Sequence, residues 1–388
     1  MAEITNNVLL LGNGFDLSIG LKSKFSDYIQ YVFSNINKEI TFDKIVYCLK
    51  EPSNSGRIFN IFAYLHSLNI NTLKFLDDNW LILLSFYEAN NLELENLNWA
   101  DMEQNLTKYV CSAMFYNDIP KNCFSNYFNS QIPHGYMKHP TVNRINENEI
   151  IKHIDKFTES FVNYLNELIR KDKDESIKNG TSDLESKAWE KLECILNNIS
   201  PGNNWRDNLK INSYILNFNY TNWFKSLTDK HGCLVTNFQV NNIHGRIGTK
   251  CIIGIDDKKV NLSQIGIELN KKKLTNKYIF SKTYRRLTNN LQNSLPLPIS
   301  NASTNIIFCG LSLSENDDVY YDTIFNTYDI YNNKKVKLYF IFFKGHNLYH
   351  EMYRLLKKYG EHFGNDLQGN TLITKLSIEG RLEIITLS

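Results

Sequence analysis

Val8-Leu9-Leu10-Leu11-Gly12-Asn13-Gly14-Phe15-Asp16 is a continuous apolar run that stops at two closely spaced glycines. Such a run, bounded by glycine, reads as a strand buried on both faces, as in a parallel sheet. From Asp16 to Ile40 the spacing turns helical, with Phe25, Tyr28, Ile29, Val32, Phe33 and Ile36 on one stripe. A strand, a glycine turn and a helix open a βαβ unit.

Outward from this unit the pattern is first helical, near 71–88, 98–114, 148–171 and 184–197. Lys171-Asp172-Lys173-Asp174-Glu175 and the stretch 198–204 read as solvated loops. Alternation of strand and helix then returns. SYILNF (213–218), CIIGI (251–255), NIIFC (305–309) and VKLYFIFF (336–343) read as buried strands. Helical patterns fall near 223–231, 319–331 and 347–359, and the tail 374–387 reads as two short strands around Glu379-Gly380, a hairpin. The expectation is an α/β fold: a doubly wound, mostly parallel sheet with a large helical insertion. Its core would comprise residues 1–40 and 205–345, the insertion 41–204, and a C-terminal helix with short strands 346–388.

Composition bounds the function. Of 388 residues, 43 are Lys or Arg and 41 Asp or Glu, a formal net charge of +2. That balance makes no global electrostatic case for a nucleic-acid binder. The seven cysteines form no C-x-x-C and no zinc spacing, which predicts a reduced, cytoplasmic compartment. The N-terminus lacks the basic region of a signal peptide, and no run is long enough to span a membrane. A soluble protein without a resident metal is expected.

In doubly wound sheets, ligands bind outside the carboxyl ends of the strands, so the residues after each strand are the candidates. Gly12-Asn13-Gly14-Phe15-Asp16 offers a glycine turn and a helix N-terminus, suited to phosphate or to a tight strand-to-helix turn. The dinucleotide fingerprint lacks its third glycine, because position 17 is Leu. Asn219-Tyr220-Thr221 supplies an amide that can orient a ribose hydroxyl or cap a helix. His244-Gly245 supplies a group titrating near neutrality at a turn. Gly310-Leu311-Ser312 leads to Asp317 and lacks the second glycine of a nucleophile elbow, since position 314 is Ser. Ser312 therefore reads as a ligand-bonding hydroxyl or a helix cap.

LLLGNGFDLSIGLKSKFSDY, LNFNYTNW, NNIHGRIG with GIDD, and FCGLSLSENDDVYY resemble, in that order, the motifs of the bacteriophage abortive-infection AbiH family. Asn98-Trp99-Ala100-Asp101-Met102-Glu103 is similar to that family's acidic helix motif. The order of elements is also similar to the wider sirtuin-like superfamily, with its Rossmann-like fold. The resemblance implies a defence protein that hydrolyses NAD, as substrate, at the nicotinamide–ribose bond. It implies that Gly12 and Gly14 cradle phosphate, Asn219 positions ribose or water, and His244 is the base. Ser312 and Asp317 would then lie near the adenosine side, with Asn13, Phe15, Tyr220, Gly245 and Gly310 around the nucleotide. Asp16 stands where sirtuins carry a small hydroxyl residue, and Lys22 where both groups usually carry proline. Asp16 points either to a related nucleotide or to acid–base work on the ribose, and Asp256 is a further carboxylate of the right type.

Other readings stay open. Asp101 sits where it completes a capping box after Asn98, and Glu103 keeps a catalytic reading from the family motif. His346 and His350 have an i, i+4 spacing but no third metal ligand. The basic run from Lys271 through Lys282 and Arg285 to Arg286 reads as a solvated face, with nucleic acid as a less favoured partner. The alternative function is a nucleotide-sensing or nucleic-acid-acting defence protein without NAD turnover. A phage-derived trigger and a homo-oligomer are the remaining expected partners, with the helical insertion as the place for control.

Overall fold

The computed structural model describes residues 5–41, 44, 47, 64–70, 82, 102–103, 106, 147–199, 213–224, 238–257, 277–291, 297, 302–344, 348–361 and 366–387. In chain order the elements are β1 (Thr5–Leu11), α1 (Asn13–Ser18), α2 (Phe25–Ile36), α3 (Glu147–Asn179), α4 (Leu184–Ile199), β2 (Ser213–Asn217) and β3 (Phe238–Asn242). They continue with α5 (Lys282–Thr288), β4 (Ser303–Cys309), α6 (Asp318–Tyr328), β5 (Val336–Phe343), α7 (Tyr349–Glu361), α8 (Asp366–Ile378) and β6 (Leu382–Leu387). Short 3₁₀ turns occupy Lys277–Phe280 and Glu315–Asp317.

The chain divides into two compact units. The first comprises Met1–Ser23, Leu165–Cys251 and Arg286–Ser388. It holds a six-stranded sheet in the order β3-β2-β1-β4-β5-β6, with every neighbouring pair parallel. The doubly wound, Rossmann-like expectation is met: the chain builds outward from β1 to β3, returns to the other side of β1, and builds from β4 to β6. The reversal creates a topological switch point between β1 and β4.

The sequence explains why β1 is central. Val8 to Leu11 are buried on both faces, as a strand flanked on both sides must be. On one face Val8, Leu10, Ile306, Phe308, Leu338 and Phe340 form a core with α6 and α7, which contribute Tyr321, Ile324, Phe325, Met352, Leu355, Leu356 and Tyr359. Phe308 and Phe340 are in-register partners across β4 and β5, and their rings stack with centroids 4.6 Å apart.

The second unit comprises Lys24–Tyr164 and Ile252–Arg285. In it the apolar stripe of α2 meets α3. Tyr28 packs against Phe157, Phe161 and Tyr164 at centroid distances of 5.5, 5.1 and 5.7 Å. The 157, 161 and 164 spacing is one helical face.

Three local readings are corrected, and one strand is added. CIIGI is buried but not a strand; Ile255 makes an isolated bridge to Ser281, its N–H donating to the Phe280 carbonyl and its carbonyl accepting from Lys282 N–H, both at 2.9 Å. Lys171–Glu175 is helical, because Lys, Asp and Glu on a solvated face do not interrupt the long α3. The tail is no hairpin: α8 ends in an αL Gly380, with Arg381 N–H bonded to the Leu376 carbonyl, and β6 then pairs parallel to β5. NFQVNN also contains a strand, β3, that its mixed polarity concealed. The expected segments 71–88 and 98–114 lie almost wholly outside the described residues. No helix among the described residues is long and apolar enough to cross a membrane.

Candidate functional site

The switch point is closed by backbone. Gly12 N–H donates to the Cys309 carbonyl at 2.9 Å, and Gly14 N–H to the Gly310 carbonyl at 2.7 Å. Gly310 adopts φ +65°, and a Cβ there would stand 2.2 Å from the Phe15 amide nitrogen. A Cβ on Gly12 would stand 2.6 Å from the Gly310 carbonyl oxygen. The loops after β1 and β4 therefore need glycine in order to touch each other. Of the two roles open to this turn, tight packing has a direct geometric cause.

Asp16 on α1 is 1% exposed and lies under the segment that follows β2. Thr221 Oγ1 donates to its carboxylate at 2.9 Å and Trp223 Nε1 at 2.7 Å. Burial pushes this carboxyl up from 3.8 to about 7, against the hydrogen bonds of Trp223, Thr221 and Asn219, which favour the ionised form. Asn219 Nδ2 also donates to the Gly12 carbonyl at 2.9 Å. One side-chain amide thus joins the glycine turn, the buried acid and the end of β2. Beneath it, Asn217 Nδ2 donates to Asn242 Oδ1 at 3.0 Å, across the last register pair of β2 and β3.

His244 follows β3 and is buried. Phe218 and Tyr320 meet its ring edge-on, at centroid distances of 5.7 and 5.8 Å. Its Nε2 lies 3.6 Å from Asp317 Oδ1, an ion-pair separation longer than a hydrogen bond. The adjacent Asp318 faces the other way: Lys358 Nζ lies 2.8 Å and Arg354 Nη1 3.3 Å from its Oδ2. Arg354 Nη2 also donates to the Leu313 carbonyl at 2.5 Å, so α7 clamps the loop that carries Asp317.

The structure thus forms two groups from the candidate residues: Gly12, Asp16, Asn219 and Gly310 around the switch point, and His244 with Asp317. The others fall into local roles. Phe15 is buried against Phe224, and Asn13 exchanges hydrogen bonds with Ser23. The Tyr220 carbonyl accepts from Ile247 N–H at 2.8 Å. Gly245 at φ +85° lies where a Cβ would meet the Lys250 carbonyl at 2.1 Å. Ser312 is exposed, its Oγ accepting from Ser314 N–H at 3.4 Å. Lys22 is exposed. Asp256 belongs to the second unit, where it is buried.

Thr221, Trp223 and Tyr320 had no individual signal in the sequence beyond their place in the quoted motifs. In the second unit, Lys282 Nζ pairs with Glu103 Oε2 at 3.1 Å, and Arg285 pairs with Asp155. Both cations are buried, and Arg286 donates to the Ile243 carbonyl at 2.6 Å. That end of the basic run is not a solvated face. Lys271–Lys273, Asp101 and His346 lie outside the described residues. Among the described residues no group of three or more His, Cys, Asp or Glu is placed to hold a metal ion.

The motifs at these strand ends are spread along most of the chain, and so is the family match. The model of the family described as bacteriophage abortive infection AbiH matches residues 8–341. The chain belongs to the AbiH family. It is accordingly a protein of phage abortive-infection defence. Comparison with curated proteins and with solved structures returns no match. The matched region of this AbiH protein starts in β1 and ends in β5, so it takes in every strand end described above.

Proposed function

We propose that this AbiH protein hydrolyses NAD, or a related nucleotide, at the N-glycosidic bond to ribose. The observation that carries the reading is the position of Asn219, His244 and Asp317. They follow β2, β3 and β4 at the carboxyl ends of one parallel sheet, the side where doubly wound folds bind nucleotides.

In this reading His244 takes a proton from water as the water oxygen bonds to the ribose C1′. The C1′–N bond breaks, its electron pair returns to the pyridinium ring, and nicotinamide leaves neutral. ADP-ribose and one proton are the other products. The donors of the Asn219 amide are directed to Gly12 and Asp16, so its carbonyl oxygen is the group suited to accept from a ribose hydroxyl or the attacking water. Asp16 acts through that amide, by holding it. No metal enters the scheme.

The test is to incubate purified protein with NAD and follow free nicotinamide, with His244→Ala and Asn219→Ala alongside. Release by the wild type and a fall of at least about 100-fold in His244→Ala support the reading. Wild-type binding of NAD without release, with defence retained in both variants, favours a nucleotide sensor instead.

A further inference from the structure

We infer that Asp317 is the positioning carboxylate of His244, fixing which ring nitrogen is basic. Its place in bond cleavage rests on the hydrolase reading above; the pairing itself does not.

Asp317 occupies the N-cap position of α6, where an Asp ordinarily accepts from the first helical amides. Here it makes no side-chain capping bond. Its Oδ1 lies instead 3.6 Å from His244 Nε2. The side chain has given up the local role that its residue type and position would predict, in favour of a partner on another strand's loop.

The surroundings hold both members in place. Phe218 and Tyr320 stand edge-on to the imidazole and to each other, with Phe218 and Tyr320 centroids 5.7 Å apart, which restricts ring rotation. Asp318, next in sequence, is held by Arg354 and Lys358, and Arg354 grips the loop again at Leu313. Leu313 has φ +52°, an uncommon conformation for a non-glycine residue, which this contact helps to hold. The loop after β4 is therefore clamped on one side by α7 and presents one carboxylate to His244 on the other.

A carboxylate beside Nε2 favours the tautomer with the proton on Nε2, which makes Nδ1 the basic nitrogen. It also stabilises the imidazolium that forms when Nδ1 accepts a proton. Asp317 exchanges no proton with substrate in this scheme; it acts through His244.

Two measurements on the full-length protein test this. The first is NMR titration of ¹⁵N-labelled histidine in wild type, Asp317→Asn and Asp317→Glu, with His244→Ala to assign the resonance. Asp317→Asn should lower the His244 midpoint by roughly one pH unit, and Asp317→Glu should restore most of it. An unmoved midpoint in a folded Asp317→Asn protein overturns the pairing. The second is the NAD assay. Asp317→Asn should lower kcat by about 10- to 100-fold, with KM changed less than about threefold. A raised KM at unchanged kcat would make Asp317 a nucleotide contact and overturn the positioning role. A shifted midpoint with no nicotinamide release by the wild type would retain the pairing and reject the hydrolase reading alone.

Discussion

The indole N–H of Trp223 donates to the carboxylate of Asp16 across 2.7 Å, joining the first helix of the chain to a loop 207 positions later. Thr221 reaches the same carboxylate. Both bonds bury a titratable group at the junction of the two loops that frame the candidate site.

This burial has a pH signature. A carboxyl raised to about 7 in the folded state keeps a proton that the unfolded chain has lost above 3.8. The unfolded state then binds fewer protons, and stability falls as pH climbs from about 4 to about 7. Urea unfolding at pH 5 and pH 8 should show wild type losing on the order of 2–4 kcal/mol more than Asp16→Asn over that interval. Equal losses in the two proteins would mean that Asp16 does not titrate in this window.

Gly310→Ala tests the closure of the switch point. The new methyl would meet the Phe15 amide at 2.2 Å and would also force a residue with a Cβ into φ +65°. A loss of about 2 kcal/mol or more, or failure to accumulate as folded protein, is expected. Gly20→Ala is the control, since its Cβ meets nothing within 4 Å and isolates the cost of positive φ. A smaller loss at Gly310 than at Gly20 would show that the loops part readily.

Arg381 bonds the carbonyls of Ile330, Asn333 and Val336 at 2.8, 3.2 and 3.3 Å, tying the turn before β5 to the start of β6. Arg381→Leu keeps bulk but removes those donors from buried acceptors. Thermal unfolding should show a cost of about 2–4 kcal/mol. A neutral result would indicate that water takes over the carbonyls.

In the second unit, Glu103→Gln would leave Lys282 in a buried place without its carboxylate. Its cost should be about 3–5 kcal/mol, while Glu103→Leu combined with Lys282→Met should cost less than the sum of the single changes. Additive costs in a double-mutant cycle would show that the two side chains do not act as a pair.

The architecture was largely legible because Val8-Leu9-Leu10-Leu11 and VKLYFIFF are apolar without alternation, as interior parallel strands must be. CIIGI misled for the same reason: burial alone does not distinguish a strand from a covered loop. β3 carries Gln239, Asn241 and Asn242 and so lacked an apolar signature at the sheet's edge. In the candidate site, strand ends pointed to His244 and Asn219 one by one. Which groups meet depends on loop paths: nothing in ENDD says that Asp317 turns toward His244 while Asp318 turns toward Arg354. The glycines illustrate the same limit. Gly12 is expected at a phosphate and Gly310 elsewhere around the nucleotide, and their mutual approach is visible only once β1 and β4 are neighbours.

The position of β1 between β2 and β4 also sets a timetable for synthesis. Asn305 Nδ2 donates to Asn7 Oδ1 across 298 positions of sequence, and the other neighbour of β1, β2, is paired from Ser213 onward. At roughly 5–20 residues per second, the ribosome would need about 15–60 s to supply the second edge partner after β1 emerges. Until then β1, whose Val8–Leu11 are buried in the folded sheet, lacks its β4 neighbour, and the loops bearing Asn219, His244 and Asp317 have no common frame. A nascent or truncated chain ending before β4 lacks Asp317 and the Gly310 side of the switch point, which ties assembly of the candidate site to synthesis through the loop after β4.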